Sequence, residues 1–201
     1  MEIKSAQVLV TGGSRGIGAA LAREYSAKGA RVIVTARSEG DLERVAAEIN
    51  GVAHVADLSI AETVDNLIQE IESLYGPIDV LVNNAGVETV NPVATVAPAD
   101  IRAAARTNLE TPMVLTRQVL PGMIEREKGA LVYLSSLAGT SGFAGMGPYC
   151  ATKAGLNNFV AALRIELKNT PIHTTLVAPG PVDTRMWDAV ETASESIQRS
   201  V

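Results

Sequence analysis

The amino-acid sequence predicts an α/β fold, a Rossmann-like doubly wound parallel sheet in a single domain. Short apolar, β-branched runs alternate with longer helical patterns along the 201 residues, and this alternation is typical of a parallel sheet with helices on both faces. A glycine-rich turn separates the first apolar run from the first helical pattern, as it does in sheets of this kind. Right-handed crossovers between the strands would complete the fold.

Six apolar runs bounded by turn-forming residues are predicted to be strands. In chain order they are Gln7–Thr11, Arg31–Thr35, Val52–Val55, Asp79–Val82, Ala130–Leu134 and His173–Val177. The predicted helices between them are Gly16–Lys28, Asp41–Asn50, Ala61–Tyr75, Pro98–Glu127 with a break near Pro112, and Tyr149–Lys168. Gly29, Gly51 and Gly76 are the expected helix stops.

The composition is that of a globular protein and argues against several classes of partner. Hydrophobic residues make up 47% of the chain, charged residues 19% and aromatic residues 3%, so the core must consist mainly of Ala, Val, Leu and Ile. The net charge of −5 does not favour nucleic acid or an anionic membrane. Cys150, His54 and His173 form no metal-ligand pattern. We therefore expect a cytoplasmic protein without a metal.

No repeat, low-complexity tract or linker divides the chain. We expect one domain over residues 1–190, followed by a short polar tail at 191–201 that is a short helix or disordered. The first residues lack the apolar run of a signal peptide. The sequence also contains no apolar run of about 18 residues, the length that would indicate a membrane-spanning helix.

The turn after the first strand has the composition of a pyrophosphate-binding loop. Its candidate binding residues are Gly12, Ser14, Arg15, Gly16, Ile17 and Gly18. Glycines let the backbone approach a pyrophosphate, and a helix N-terminus offers free N–H groups and partial positive charge. An ordinary tight turn would contain similar residues, but the flanking strand and helix favour dinucleotide binding.

The end of the second strand bears on which dinucleotide is bound. NAD-binding sites usually place an acidic residue here to bond the ribose 2′-OH, whereas this chain has Ala36 and then Arg37. Arg37 and Arg15 together would suit a 2′-phosphate. Alternatively, Arg37 is a solvated charge at the entry to a helix. We favour NADP(H) over NAD(H).

Two further strand ends carry candidate cofactor residues. Asp57, followed by Leu58, either accepts a hydrogen bond from an adenine amino group or only shapes a turn, and spacing alone favours the turn. Asn84, Ala85 and Gly86 follow the fourth strand, where small and amide residues let a ribose pass close. A simple strand-end turn would use the same residue types.

A tyrosine and a lysine one helical turn apart indicate the chemistry. Tyr149 and Lys153 are four positions apart and share a helix face. A tyrosine with a pKa of about 10 is a poor acid or base at neutral pH, and a nearby ammonium would lower that pKa. Ser136 ends the fifth strand, where it could bond a substrate carbonyl. Surface packing and a turn are the structural alternatives.

The segments taken in order resemble the short-chain dehydrogenase/reductase family, and in pattern its 3-oxoacyl-[acyl-carrier-protein] reductase-like members. The motifs are Thr-Gly-x-x-x-Gly-x-Gly from 11, Asp57, Asn-Asn-Ala-Gly from 83, Asn108 within a helical pattern, Ser-Ser-x-Ala-Gly from 135, Tyr-x-x-x-Lys from 149 and Pro-Gly-x-Val-x-Thr from 179. The likeness covers about residues 5–185.

The resemblance implies hydride transfer between a nicotinamide and a carbonyl or secondary alcohol. Ser136 would polarise the substrate oxygen, and Tyr149 would be the acid in reduction and the base in oxidation. Lys153 would bond the nicotinamide ribose and lower the tyrosine pKa, and Asn108 would anchor a water of a proton relay. Implied cofactor contacts are Gly12, Gly16, Ile17, Gly18, Asp57, Asn84, Gly86, Pro179, Gly180, Val182 and Thr184, with Arg15 and Arg37 at the basic positions of NADP-preferring members.

The C-terminal part departs from the family pattern. Members usually add a last helix, a seventh strand and a substrate lid, whereas the lid region here begins at Arg185 and the sequence ends at Val201. We expect a sheet without the seventh strand, with an exposed edge. We also expect a homodimer through the long helices, without one of the subunit interfaces that family tetramers use. A weak or inactive nucleotide-sensing or scaffold protein is the alternative function, and a dimerisation module built on Ala151–Leu167 is a third.

The substrate pocket is expected between three segments, Val87–Val96, Ala138–Met146 and Pro181–Val190. Val87, Phe143, Met146 and Trp187 would form an apolar wall or are simply packed. We expect Cys150 to be a packed residue, since no histidine is placed to activate its thiol.

Overall fold

Six parallel strands form the central sheet in this computed structural model, which describes residues 2–180. They are β1 Gln7–Thr11, β2 Arg31–Ala36, β3 Val52–Val55, β4 Val80–Asn83, β5 Gly129–Leu134 and β6 Ile172–Val177. Their order is β3-β2-β1-β4-β5-β6, with every neighbouring pair parallel. This is the order of the doubly wound dinucleotide-binding fold, so the predicted fold class is confirmed. The predictions about a missing seventh strand and last helix, and about the tail, lie outside the described residues.

Helices connect the strands on both faces of the sheet. They are α1 Gly16–Ala27, α2 Glu39–Glu48, α3 Ala61–Tyr75, α4 Pro98–Ala105, α5 Thr111–Glu125 and α6 Gly147–Glu166. Every predicted strand and helix is present, with ends that differ from the prediction by at most two residues. Within residues 2–180, no helix has the length and apolar character needed to cross a membrane.

Two of the three expected helix stops have the left-handed backbone that glycine favours. Gly29 and Gly76 follow α1 and α3 with φ of 83° and 91°. After α2 the left-handed residue is Asn50, with φ of 49°, and not Gly51. Asparagine tolerates this region better than most residues, so Gly51 is left to continue towards β3.

A π-helical turn, and not a break at Pro112, divides the long predicted helix. The turn covers Arg106–Glu110, and the backbone remains right-handed where it joins α4 and α5. A proline ring clashes with the carbonyl four residues earlier, here that of Asn108, and a wider turn relieves this crowding. The same turn buries Asn108, which is 1% exposed.

Alternating strand residues build two aliphatic layers, one on each face of the sheet. Val8 and Val10 of β1 pack in the cluster that contains α1 and α2 residues, and Leu9 packs in the cluster of α3, α5 and α6. All three side chains are fully buried, and each such side chain contributes about 1.5–3 kcal/mol of transfer free energy. The strand order reverses between β1 and β4. In open parallel sheets, ligands bind in the crevice beyond the strand ends at this point.

Candidate active site

A cavity of about 950 Å³ lies beyond the carboxyl ends of the strands. The predicted site residues in its wall are Gly12, Ser14, Arg15, Gly16, Ile17, Gly18, Arg37, Asp57, Leu58, Asn84, Ala85, Gly86, Ser136, Tyr149, Lys153, Pro179 and Gly180. Asn108 is buried behind this wall. Val182 and Thr184 lie outside the described residues. The sheet therefore gathers residues from distant parts of the chain around one space.

The glycine turn is clamped to the end of β4. Asn84 Nδ2 donates to the carbonyls of Thr11 and Gly12 at 2.8 and 3.2 Å, and Thr11 Oγ1 accepts from the amides of Asn84 and Ala85 at 3.0 Å each. A Cβ on Gly18 would lie 2.2 Å from the Gly12 oxygen and 2.5 Å from Asn84 Nδ2. Glycine is therefore required at position 18, and the Asn84 amide holds the turn in place.

The N-terminus of α1 opens into the cavity without a capping side chain. Arg15 occupies the cap position with an extended backbone, its side chain makes no cap hydrogen bond, and the first turn contains no acidic residue. The first N–H groups of a helix have no partner within the helix. Gly16, Ile17 and Gly18 of this turn line the cavity, so the turn could hold a phosphate or pyrophosphate.

Basic side chains collect at the β1–β2 end of the cavity. Arg15 and Arg37 line the cavity, as predicted. Arg23 of α1 and Arg44 of α2 line it as well. Glu48 contacts both added arginines, at 2.5 Å to Arg23 and 3.7 Å to Arg44. Sequence reasoning missed this pair because only the packing of α1 against α2 brings them together.

Asp57 forms the turn that its spacing favoured. Its Oδ1 accepts hydrogen bonds from the Ser59 amide at 2.9 Å and the Ser59 hydroxyl at 2.7 Å. Burial raises the pKa of the Asp57 carboxyl, but the Ser59 hydrogen bonds and the Arg37 charge outweigh burial, so the net pKa lies below its usual value. The carboxylate also lines the cavity, where an adenine amino group could reach it.

Ser136, Tyr149 and Lys153 converge on one wall of the cavity. Lys153 Nζ donates to the Leu134 carbonyl at 2.8 Å and lies 5.7 Å from the centre of the Tyr149 ring. Ser136 Oγ accepts from the Ala138 amide at 3.1 Å, and the Ser136 side chain is close enough to Tyr149 to lower the pKa of its phenol. A hydrogen-bond donor and a phenol therefore stand together, with an ammonium behind them.

Burial dominates the pKa of both the tyrosine and the lysine. Tyr149 is 8% exposed and Lys153 is 5% exposed. Burial raises the pKa of Tyr149, the Ser136 hydrogen bond lowers it, and the Glu88 charge raises it. Burial lowers the pKa of Lys153 to about 8. Desolvation of the phenol decides the net direction of the Tyr149 pKa, and the expectation that Lys153 lowers this pKa stays a prediction.

Asn108 joins the loop after β4 to the catalytic helix. Its Oδ1 accepts from the Val87 amide at 2.8 Å, and its Nδ2 donates to the Val87 carbonyl at 2.8 Å and to Thr152 Oγ1 at 3.2 Å. Thr152 in turn donates to the Tyr149 carbonyl at 2.8 Å. The Asn108 side chain therefore supports the site from behind, and the water expected there stays a prediction.

Glu88 is the residue beside Tyr149 that the sequence did not single out. It lines the cavity next to Val87, although its loop was expected to supply an apolar wall. Of that expected wall, Met146 packs with Tyr149, Phe143 is 48% exposed, and Trp187 lies outside the described residues. One acidic residue in an otherwise uncharged loop was the available signal.

The remaining sequence expectations concern metals and the thiol. Cys150 is half-buried and packs beside the Tyr149 cluster, in a smaller cavity of about 310 Å³ that Ala138 and Gly142 also line. In the part of the chain that the structure describes, no three His, Cys, Asp or Glu side chains form a group that could hold a metal ion.

Comparison with known proteins identifies the family. A sequence model of the family described as short chain dehydrogenase matches residues 6–195. The chain is 38% identical to the ketoacyl reductase HetN of Nostoc sp. over 96% of this chain and 71% of that protein. It is 35% identical to the 3-oxoacyl-[acyl-carrier-protein] reductase FabG of Haemophilus influenzae over 90% of this chain and 76% of that protein. A metagenomic short-chain oxidoreductase solved in complex with NADP matches at a TM-score of 0.85 and 37% identity, over 98% of this chain and 91% of that one. This chain belongs to the short-chain dehydrogenase family of oxidoreductases, as its motifs predicted.

Proposed function

We propose that this protein is an NADP(H)-dependent oxidoreductase that transfers a hydride between the nicotinamide and a carbonyl or secondary alcohol. The observation that carries the proposal is that Ser136, Tyr149 and Lys153 line the same cavity as the glycine turn. The cavity could serve two ligands, because one end offers anion-binding groups and the other offers an acid.

The residues at the glycine turn fit a dinucleotide. Gly12 and Gly18 leave no room for side chains, so a pyrophosphate could approach the backbone at the uncapped start of α1. Arg15 and Arg37 would hold a 2′-phosphate at the β2 end. The NADP complex of the metagenomic relative supports the same choice. A bound nicotinamide would supply hydride to a carbonyl carbon in reduction and accept it in oxidation.

The three side chains divide the proton chemistry. In reduction, the Tyr149 hydroxyl donates its proton to the carbonyl oxygen as charge develops there, and the Ser136 hydroxyl stabilises the same oxygen by a hydrogen bond. A raised tyrosine pKa keeps the phenol protonated at neutral pH, which suits an acid. The nearby Lys153 ammonium would stabilise the phenolate that proton transfer leaves behind, and solvent would return the proton.

The first substrates to test are 3-oxoacyl esters and thioesters. HetN and FabG are named as ketoacyl and 3-oxoacyl reductases, and this chain contains the predicted catalytic groups of the same pattern. The assay follows NADPH oxidation with a panel of 3-oxoacyl compounds and simple ketones, and repeats it with NADH. We expect turnover with NADPH and slower turnover with NADH.

Tyr149→Phe tests the mechanism directly. The variant should lose about 10²–10⁴-fold in kcat/KM, as is typical when a general acid is removed, while its affinity for NADPH, measured by fluorescence, is kept. Tyr75→Phe is the matched control, because Tyr75 packs at the end of α3 away from the cavity. Wild-type turnover in Tyr149→Phe would show the mechanism to be wrong. NADPH binding without oxidation of any carbonyl would instead support a nucleotide-sensing protein.

We also propose an oligomeric state and a cellular location for the enzyme. Three exposed apolar side chains on α4 and α5, Ile101, Met113 and Ile124, support a homodimer through the long helices. The single cysteine, without an intrachain partner, supports a reducing, cytoplasmic location. Sedimentation of the purified chain and fractionation of cells that express it would test the two proposals separately.

A further inference from the structure

The backbone on both sides of Glu88 is fixed against the catalytic wall. Asn108 bonds the N–H and the C=O of Val87 at 2.8 Å each. Val90, two positions after Glu88, packs in the cluster that contains Tyr149. The half-buried Glu88 side chain lies between these anchors and lines the same cavity as Tyr149. The backbone that carries Glu88 is therefore held against the wall that contains Tyr149.

No cation within residues 2–180 pairs with this carboxylate, and no hydrogen bond from those residues reaches it. Burial raises the pKa of Glu88 without a contribution from an opposite charge. Burial alone likewise lowers the pKa of Lys153, so the two groups do not compensate each other. The Glu88 charge does raise the pKa of Tyr149. Glu88, Tyr149 and Lys153 line the same cavity.

The cavity is electrostatically asymmetric as a result. Arg15 and Arg37 line its β1–β2 end, whereas Glu88 follows β4 and lies beside Tyr149. A dinucleotide, which is anionic, suits the first end. The second end, where the carbonyl must meet Tyr149, has the half-buried Glu88 carboxylate at its surface and the buried Lys153 ammonium in its wall.

We propose that Glu88 selects carbonyl substrates that carry a cationic, hydrogen-bond-donating group, best an ammonium, near the carbonyl, and that it rejects anionic ones. This inference rests on the proposed carbonyl reduction and deepens it by naming the substrate class. A charge-assisted hydrogen bond is about twice as strong as a neutral one, and a carboxylate on the substrate would instead face a like charge. Because Glu88 is only half-buried, solvent screens part of this difference.

Three ketones with one carbon skeleton test the inference. They end in a primary ammonium, a neutral amide or a carboxylate, and kcat/KM is measured for each with NADPH. The wild-type protein should prefer the ammonium ketone over the amide by about tenfold, the selectivity that a hydrogen bond to a charged group typically provides. It should disfavour the carboxylate by a similar factor.

Variants then assign the selectivity to Glu88. In Glu88→Gln the ammonium-to-amide ratio should fall towards one and the carboxylate ketone should improve, whereas Glu88→Asp should keep part of the preference. Glu24→Gln is the matched control, because it removes the same charge from an exposed position on α1. Its ratio should remain that of the wild type.

The possible outcomes separate the two proposals. Equal kcat/KM for the three ketones in the wild-type protein, or a ratio that Glu88→Gln leaves unchanged, would overturn the inference and leave carbonyl reduction intact. Calorimetric binding of the corresponding alcohols gives a readout that needs no turnover. A protein that binds the ammonium alcohol about tenfold more tightly than the amide, and loses this preference in Glu88→Gln, but reduces no ketone would overturn the proposed function and support the inference.

Discussion

The side chain of Asn108 bonds both the N–H and the C=O of Val87, at 2.8 Å each. This pair ties the π-helical turn to the loop that carries Glu88, and the further bond to Thr152 reaches the helix of Tyr149. A residue that lines no part of the cavity therefore sets the distance between two of its walls.

Replacing Asn108 with Ala should weaken both stability and catalysis. The change leaves the amide and carbonyl of Val87 without partners, which costs about 1–3 kcal/mol in the free energy of unfolding. Without Asn108 the loop and the helix of Tyr149 would lose their relative positions, so kcat/KM should fall about tenfold or more. Urea denaturation and steady-state kinetics measure the two effects. Asn66→Ala is the control, since Asn66 makes one exposed hydrogen bond and its loss should stay within about 0.5 kcal/mol.

Gly18→Ala should disrupt the glycine turn, and Gly40→Ala should not. A Cβ at position 18 would lie 2.2 Å from the Gly12 oxygen, whereas one at position 40 meets nothing within 4 Å. The first variant must move the turn away from the end of β4 and should lose NADPH affinity and thermal stability. The second should match or exceed the wild type in stability by up to about 1 kcal/mol. Equal NADPH dissociation constants for both variants would contradict the assignment of the turn.

Arg37→Asp should change the cofactor preference. The arginine would no longer hold a 2′-phosphate, and the new carboxylate could bond a ribose 2′-OH as in NAD-binding sites. Loss of a charged hydrogen bond of about 1.5–3 kcal/mol predicts a fall of at least about tenfold in the NADPH-to-NADH ratio of kcat/KM. Arg31→Asp, at the exposed start of β2, makes the same charge change outside the cavity and should leave the ratio unchanged. An unchanged ratio in Arg37→Asp would remove the 2′-phosphate argument.

Lys153→Met should stabilise the protein without cofactor while it removes activity. Burial lowers the pKa of Lys153 to about 8 in the folded chain, against about 10.4 when unfolded. Below pH 8 the folded state therefore bears the full free-energy cost of burying the Lys153 ammonium, about 3 kcal/mol. Between about pH 8 and 10.4 the unfolded chain binds more protons, so wild-type stability rises and the cost disappears. The free energy of urea unfolding, measured for both proteins at the two ends of this pH range, tests the prediction.

The exposed Lys168 provides the control for this stability test. Lys168→Met, just beyond α6, removes an ammonium that is already in solvent and should leave the pH dependence of unfolding as it is. A Lys153→Met variant less stable than the wild type at pH 7 would contradict a desolvated ammonium and would indicate that the hydrogen bond to Leu134 outweighs it.

Glu88→Gln should move the pH profile of reduction. Burial raises the pKa of Tyr149, Ser136 lowers it, and the charges of Glu88 and Cys150 raise it. Removing the Glu88 charge therefore lowers the pKa of Tyr149, so the protonated phenol is lost at a lower pH. The alkaline fall in kcat/KM for reduction should shift to lower pH, while Glu24→Gln keeps the wild-type profile. A shift to higher pH would contradict the placement of Glu88 beside the tyrosine.

The ends of the strands and helices could be predicted to within two residues, because strand and helix periods are local properties of a sequence. Two details of the backbone differ from the prediction, each for a local reason. Pro112 widens the turn before it and does not break the helix, and Asn50 takes the left-handed position that Gly51 was expected to fill. At the site, the residue set could be named in advance, but the direction of the tyrosine pKa could not.

By itself, the sequence determined the doubly wound sheet, the glycine turn and the shared helix face of Tyr149 and Lys153, since each follows from spacing along the chain. Only the tertiary structure decided how deeply that pair is buried, that Asn108 holds Val87, and that Glu88 stands beside the tyrosine. Desolvation and Coulomb interactions depend on the distances between groups that lie far apart in the chain. Those distances exist only once the strands are ordered and the helices are packed.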